Sequence, residues 1–280
     1  MNNITPEEIL RRIGNIPSLP AVVMELLATI DQQDVHVETL ADKIEQDQAL
    51  TARTLRLANS SFYGMACQIT TIREAIAIVG FRTIRGLATT AGLMGTFAGG
   101  GHADFDAAPF WRHALGTAVC ARELATHLNL DPGYAYIVGL IHDIGRLVLV
   151  TQFAPNFQAT MAYRVQHDCS WLQAERAVFG LDHAVIGQAL TRHWKFPEAM
   201  QQAVACHHAT SSTGLLPLSL VVMAADAIAH ALDLSSDEGD AVPSICPGLW
   251  VQLGLTDASL LDVFAATEKQ FQVASAVLRN

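Results

Sequence analysis

A histidine and an aspartate, His142 and Asp143, are adjacent inside the apolar run YIVGLIHDIGRLVLV. The run predicts a buried helix, where an isolated ionised carboxylate would cost several kcal/mol or more. Neighbouring helical positions point about 100° apart, so both side chains can reach one cation beside the helix. A hydrogen-bonded pair of Asp143 with His142 or Arg146 would also compensate the charge, and these residues alone favour neither arrangement.

More histidines and a second aspartate fall on the inward faces of other predicted helices. His113 shares a face with Cys120 and Leu124, His207 follows a buried stripe, and Asp226 lies inside the apolar segment LSLVVMAADAIAHAL. Taken singly, each histidine is typical of a satisfied core residue. Together they form a nitrogen and oxygen donor set without a thiolate, which suits divalent transition ions. The candidate ligands are His113, His142, Asp143, His183, His207, His208 and Asp226.

This donor set predicts one or two ions of Fe, Mn, Ni, Co or Zn, and nothing in the sequence indicates an organic cofactor. Two ions bridged by an aspartate would suit attack of activated water on a phosphorus centre. The other histidines have no assigned partner and are interpreted as surface or core residues. They are His36, His102, His127, His167, His193 and His230.

Composition excludes several classes of protein. With 17 Lys and Arg against 27 Asp and Glu, the net charge of −10 repels a phosphate backbone, so DNA binding is not expected. The apolar runs are broken before the roughly 18 residues that a membrane span needs, and the first residues lack a signal-peptide pattern. Five scattered cysteines without a C-x-x-C pair indicate neither a disulfide framework nor a zinc knuckle. We therefore expect a cytoplasmic protein.

Helical periodicity dominates the chain and predicts an all-α helical bundle. Short helices fill residues 1–100, which we interpret as a smaller N-terminal subdomain. The glycine-rich stretch AGGGHADFDAAP is the expected linker. Longer helices in residues 101–233 form the expected core with the candidate metal site. An acidic loop and a C-terminal helical extension make up residues 234–280.

The ordered series H…HD…H…HH…D resembles the HD superfamily of metal-dependent phosphohydrolases. The segments IPSLPAVVMELLATID, LADKIEQDQALTARTLRLANSSFYG and GLIHDIGRLVL narrow the resemblance to the HDOD family, the HD-related output domains of bacterial signalling proteins. The resemblance covers roughly Ile13 to Leu232. It implies a smaller N-terminal helical part packed on an HD-like core, and many HDOD domains are thought to be non-catalytic.

Three positions depart from the related HD-GYP phosphodiesterases. Those enzymes carry HHE and then DGxGYP, whereas His208 is followed here by ATSSTGLLPL. They place a glutamate one turn before the first histidine, where this chain has Pro109. The lysine of their HDIGK motif is Arg146 here, a candidate phosphate contact with different geometry.

The leading hypothesis is a regulatory module that acts through contact with a protein partner and retains an HD-type metal site, with no HD-GYP-type activity. The alternative is a metal-dependent phosphohydrolase acting on a nucleotide or other phosphate ester, and a purely structural role ranks third. The loop NSSFYG contributes Phe62 and Tyr63 as candidate partner-binding residues, because aromatics are common interface anchors. An equally weighted alternative is that both aromatics are buried between the two halves of the chain.

Overall fold

Every regular element of the described chain is a helix, which confirms the all-α class. The computed structural model describes residues 4–28, 37–59, 69–98, 105–237 and 241–275. Its N-terminal helices are α1 (Pro6–Ile13), α2 (Ala21–Ala28), α3 (Val37–Glu45), α4 (Gln48–Ala58), α5 (Ile72–Val79) and α6 (Phe81–Phe97). Local signals set their ends: Thr71 caps α5 by accepting a hydrogen bond from the Glu74 amide at 3.1 Å, and Gly80 closes it with φ 91°.

The second half contains longer helices. They are α7 (Ala107–His127), α8 (Pro132–Ile141), α9 (Ile144–Gln152), α10 (Ala154–His167), α11 (Trp171–Phe179), α12 (His183–His193), α13 (Glu198–Cys206) and α14 (Pro217–Ala231). Helices α15 (Leu249–Leu253) and α16 (Asp257–Ser275) follow. Buried side chains on both sides of the expected linker belong to one hydrophobic cluster. Residues 99–104 of that linker lie outside the described residues, so the division at residue 100 stays a prediction.

His142 and Asp143 do not lie within one continuous helix, which corrects the expectation from the sequence. Helix α8 ends at Ile141 and α9 begins at Ile144, with Asp143 at φ −95° and ψ 9° between them. The His142 Nδ1–H donates to the Gly139 carbonyl at 2.7 Å, the group that the Asp143 amide would bond in a continuous helix. The histidine thereby ends α8 at the point where the site needs two differently directed side chains.

The segment Pro132–Gln152 is long and apolar enough to meet the criteria for a membrane span, which corrects the expectation that no apolar run reaches that length. However, 83% of the 18-residue apolar window within this segment is buried inside the protein, and the junction at His142 and Asp143 interrupts the segment. It is a central pair of core helices, enclosed by α7, α12 and α14.

A close helix crossing positions the two sides of the core. At Gly145, an added Cβ would lie 2.0 Å from the His183 carbonyl oxygen and 2.7 Å from the Gly187 amide nitrogen. Only glycine permits this approach of α9 to α12, because any side chain would force the backbones apart. The crossing brings Asp143 and His183 to the same place.

Candidate metal centre

Five parts of the fold contribute one polar residue or one pair of residues to a common point. They are α7, the junction between α8 and α9, the start of α12, the end of α13, and α14. The relative exposure of six of the seven predicted ligands is at most 5%, while His208 is partly exposed. Burying this many polar groups among apolar helices requires that they satisfy one another or an ion.

Asp143 is the centre of one group of donors. Its Oδ1 lies 3.0 Å from His183 Nε2 and 3.4 Å from His207 Nε2, and His208 Nε2 lies 3.1 Å from His183 Nε2. One ligand atom from each of these four residues lies within 4.8 Å of all the others. Asp143 Oδ1 is buried without a hydrogen-bond partner among the described residues.

Asp226 is the centre of a second, adjoining group. Its Oδ1 lies 3.0 Å from His113 Nε2 and 3.4 Å from His142 Nε2, and those two ring nitrogens are 3.1 Å apart. Asp143 Oδ2 is 3.8 Å from His142 Nε2 and so connects the two groups. All seven sequence-predicted ligands are therefore brought together.

Hydrogen bonds on the far side of three imidazoles fix which nitrogen faces the centre. The Nδ1–H of His142 donates to the Gly139 carbonyl at 2.7 Å, that of His207 to the Val204 carbonyl at 2.6 Å, and that of His183 to Glu175 Oε2 at 2.6 Å. As neutral rings, all three present an Nε2 lone pair to the aspartates. Lone pairs converging on carboxylate oxygens need positive charge between them, and this donor pattern is the one that metal-binding histidines show.

The spacing of these atoms fits a bound ion. Two ligand atoms about 2.1 Å from the same ion are about 3.0 Å apart at a right angle and about 3.4 Å apart at the tetrahedral angle. The distances around Asp143 Oδ1 and Asp226 Oδ1, 3.0 to 3.4 Å, cover this range. The residues present therefore fit the predicted divalent ions in number, type and spacing.

The pKa values of His142, His183 and Asp143 in the metal-free site indicate the same need for positive charge. Burial lowers the pKa of His183, but the charges of Glu175 and Asp143 outweigh it and raise that pKa to about 9. For His142, burial is likewise outweighed by Asp143 and Asp226, so its pKa is also raised. Burial opposes ionisation of Asp143 too, yet Arg146 and the neighbouring histidines hold the pKa of its carboxyl well below the ordinary value. At His142 and His183 a proton takes the place of a metal ion when none is bound, whereas burial lowers the pKa of His113, His207 and His208.

Comparison with known proteins assigns this helical architecture to a family. The HDOD domain family matches residues 16–210, more than half of the chain. The chain belongs to the HDOD family. An HDOD domain protein of Geobacter sulfurreducens has the same fold, with a TM-score of 0.74 at 24% identity over 94% of this chain and 98% of its own.

Two other similar proteins extend the HDOD comparison. A Shewanella amazonensis SB2B protein named as a phosphohydrolase is 27% identical, with a TM-score of 0.75 over 96% of this chain and 97% of its own. An uncharacterized protein of Treponema pallidum (strain Nichols) is 28% identical over 199 residues, which are 70% of this chain. The matched segment spans only 38% of that relative.

Glu175 belongs to the candidate metal centre, although the sequence did not indicate it. It is fully buried on α11, and its Oε2 accepts from both the amide and the Nδ1–H of His183, at 2.8 and 2.6 Å. Arg146 lies between the two carboxylates, with Nη1 3.1 Å from Asp143 Oδ2 and Nε 3.9 Å from Glu175 Oε1. Its expected contact with phosphate stays a prediction. A glutamate eight residues before a histidine carries no periodic signal, because the turn between α11 and α12 joins them.

His230 is the second residue that sequence reasoning missed. Its Nε2 lies 3.3 Å from Asp226 Oδ1, one turn earlier on α14. The spacing of four residues was a signal that could have identified it. The candidate partner-binding residues Phe62 and Tyr63 lie outside the described residues, so that assignment stays a prediction.

Proposed function

We propose that this HDOD chain is a cytoplasmic bacterial signal-transduction module that acts through contact with a protein partner and retains an HD-type metal centre. The metal centre is the basis of the proposal, and the observation that carries it is the convergence of three tautomer-fixed imidazoles on Asp143 and Asp226. One or two ions of Fe, Mn, Ni, Co or Zn fit the donors.

The buried position of the centre favours regulation over turnover. The ion would be bound between five separate parts of the helical core, most of whose donors have little exposure. Binding to the folded state alone stabilises it by about 4 kcal/mol when the free ion exceeds its dissociation constant a thousandfold. Metal loading would thus rigidify the arrangement of α7, α9, α12 and α14, and a partner that distinguishes the loaded arrangement would sense it.

The segment after His208 also differs from the catalytic relatives in its surroundings. Ser212 is buried, donates to the Pro247 carbonyl at 3.5 Å and accepts from Gln252 Nε2 at 2.5 Å. In HD-GYP enzymes, this segment carries the acidic residue and the GYP motif. In this chain it is instead hydrogen-bonded through Ser212 to the C-terminal extension. This supports the expectation that the chain does not hydrolyse cyclic dinucleotides in the manner of those enzymes.

The proposal is tested with the full chain in metal-loaded and metal-free form. A partner is captured from cell lysate, identified and purified, and its affinity for both forms is measured; coupling predicts a difference of about fivefold or more. Asp143→Asn should behave as the metal-free form, and Asp237→Asn, at an exposed position, as the wild type. Equal affinity of the partner for both forms would contradict the sensing role.

A metal-dependent phosphohydrolase remains the second candidate, because Asp143 has ligand atoms in two adjoining donor groups, an arrangement suited to two ions. The phosphohydrolase name of the Shewanella amazonensis protein agrees with it. Bound ions would activate water and withdraw charge from a phosphate ester, and Arg146 would orient that ester. Turnover of cyclic di-GMP, a nucleotide or another phosphate ester at about one per second, lost in His142→Ala, would establish it over the regulatory role.

A further inference from the structure

His230 adds an eighth candidate ligand to the metal centre. It lies on α14 with its side chain 12% exposed, and its Nε2 is 3.3 Å from Asp226 Oδ1. Its ring centroid lies 4.3 Å from that of His113. One ligand atom from each of His113, Asp226 and His230 lies within 4.8 Å of the other two.

We infer that His230 binds directly to the ion held by His113, His142 and Asp226. This inference rests on the proposed metal centre. Residues four apart on a helix lie on one face, and two ligands at that spacing chelate a single zinc ion in helical metallopeptidase motifs. Asp226 and His230 form such a pair, with the histidine nearer the solvent.

The three imidazoles around Asp226 Oδ1 cannot all be its hydrogen-bond donors when neutral. His113, His230 and His142 place Nε2 at 3.0, 3.3 and 3.4 Å from this oxygen. His142 already uses its proton at Nδ1, so its Nε2 is an acceptor facing an acceptor. An ion beside the oxygen satisfies all three nitrogens at once, and the distances match those between ligands of one ion.

The competing role for His230 is orientation, in which its N–H donates to Asp226 and the ring never touches the ion. His230→Gln separates the two roles, because the glutamine amide can still donate to Asp226 but is a poor ligand for transition ions. His230→Ala removes both the ligand and the hydrogen bond. His193→Ala is the matched control, since His193 is exposed at the end of α12.

The experiment reconstitutes the full-length variants with Co²⁺ and records the visible d–d spectrum, the dissociation constant and the imidazole scattering in X-ray absorption. Direct ligation predicts that His230→Gln and His230→Ala both change the spectrum, lose imidazole scattering and weaken binding of one ion about tenfold or more. His193→Ala should match the wild type. Far-ultraviolet circular dichroism confirms that each variant is folded.

Two results would overturn the inference, and they differ in what else they affect. A His230→Gln protein with the wild-type spectrum and a dissociation constant within twofold of the wild type would make His230 an orienting residue and leave the metal centre intact. Failure of the wild type itself to bind Co²⁺ would overturn the metal centre and the role of His230 together.

Discussion

Replacing Gly145 by alanine tests whether the helix crossing sets the geometry of the metal centre. The new Cβ would lie 2.0 Å from the His183 carbonyl oxygen, whereas ordinary contact begins near 3.4 Å, so α9 and α12 must separate by about 1.4 Å. Metal–ligand distances tolerate only about 0.2 Å. We expect Gly145→Ala to weaken metal binding at least tenfold without removing a ligand, and to destabilise the metal-free fold by about 1–3 kcal/mol.

The assay combines metal content, a dissociation constant for Mn²⁺ and thermal unfolding of the metal-free protein. Gly14→Ala is the control, because Gly14 is exposed with φ −61° and lies far from the site in the chain, so an alanine there should change none of these three quantities appreciably. If folded Gly145→Ala binds Mn²⁺ within twofold of the wild type, the spacing of α9 and α12 does not determine the site and the reasoning is refuted.

Three other predictions concern the surroundings of the site and the partner. Glu175→Gln should lower metal affinity about 10- to 100-fold in a folded protein, because the carboxylate orients His183. The control Glu198→Gln, at an exposed position, should bind metal as the wild type does. Equal metal affinities of Glu175→Gln and the wild type would exclude an orienting role for Glu175. The pKa of His183 is raised to about 9, so the metal-free protein at pH 7 holds a proton that an ion must displace. The apparent affinity for the ion should therefore rise from pH 6 to 8, and the calorimetric binding enthalpy should vary with the buffer. An affinity independent of pH and an enthalpy independent of buffer would contradict the displacement of a proton from His183. Phe62→Ala and Tyr63→Ala should abolish partner capture and leave the melting temperature within a few degrees of that of the wild type. If these aromatics were core residues instead, their truncation would lower the free energy of unfolding by about 3–5 kcal/mol. Unchanged partner capture would remove this loop from the interface.

Much of the site could be predicted because its residues contradict their surroundings in the sequence. Asp143 and Asp226 are carboxylates in apolar segments, and burial of such groups demands compensation that only a few arrangements supply. The ends of α5 follow from equally local features, because Thr71 and Gly80 are residue types that cap helices. These inferences needed no knowledge of which helices meet.

The unpredicted features depend on tertiary contacts or on side-chain hydrogen bonds. Glu175 reaches His183 across a turn between helices, and no periodicity connects the two. The helix breaks at Asp143 because the His142 imidazole donates a hydrogen bond to the Gly139 carbonyl, which the apolar pattern of the sequence does not reveal. His230 was accessible to sequence reasoning through its spacing from Asp226, but a single histidine near a helix end is more often a surface residue.

Elemental analysis of the purified full chain tests the metal centre most directly. After anaerobic reconstitution with Mn²⁺ or Fe²⁺ and removal of free ion, the wild type should carry one or two ions per chain, and a variant combining Asp143→Asn with Asp226→Asn should carry none. Finding less than about a tenth of an ion per wild-type chain under these conditions would contradict the account, because the converging imidazoles and carboxylates would then hold only protons.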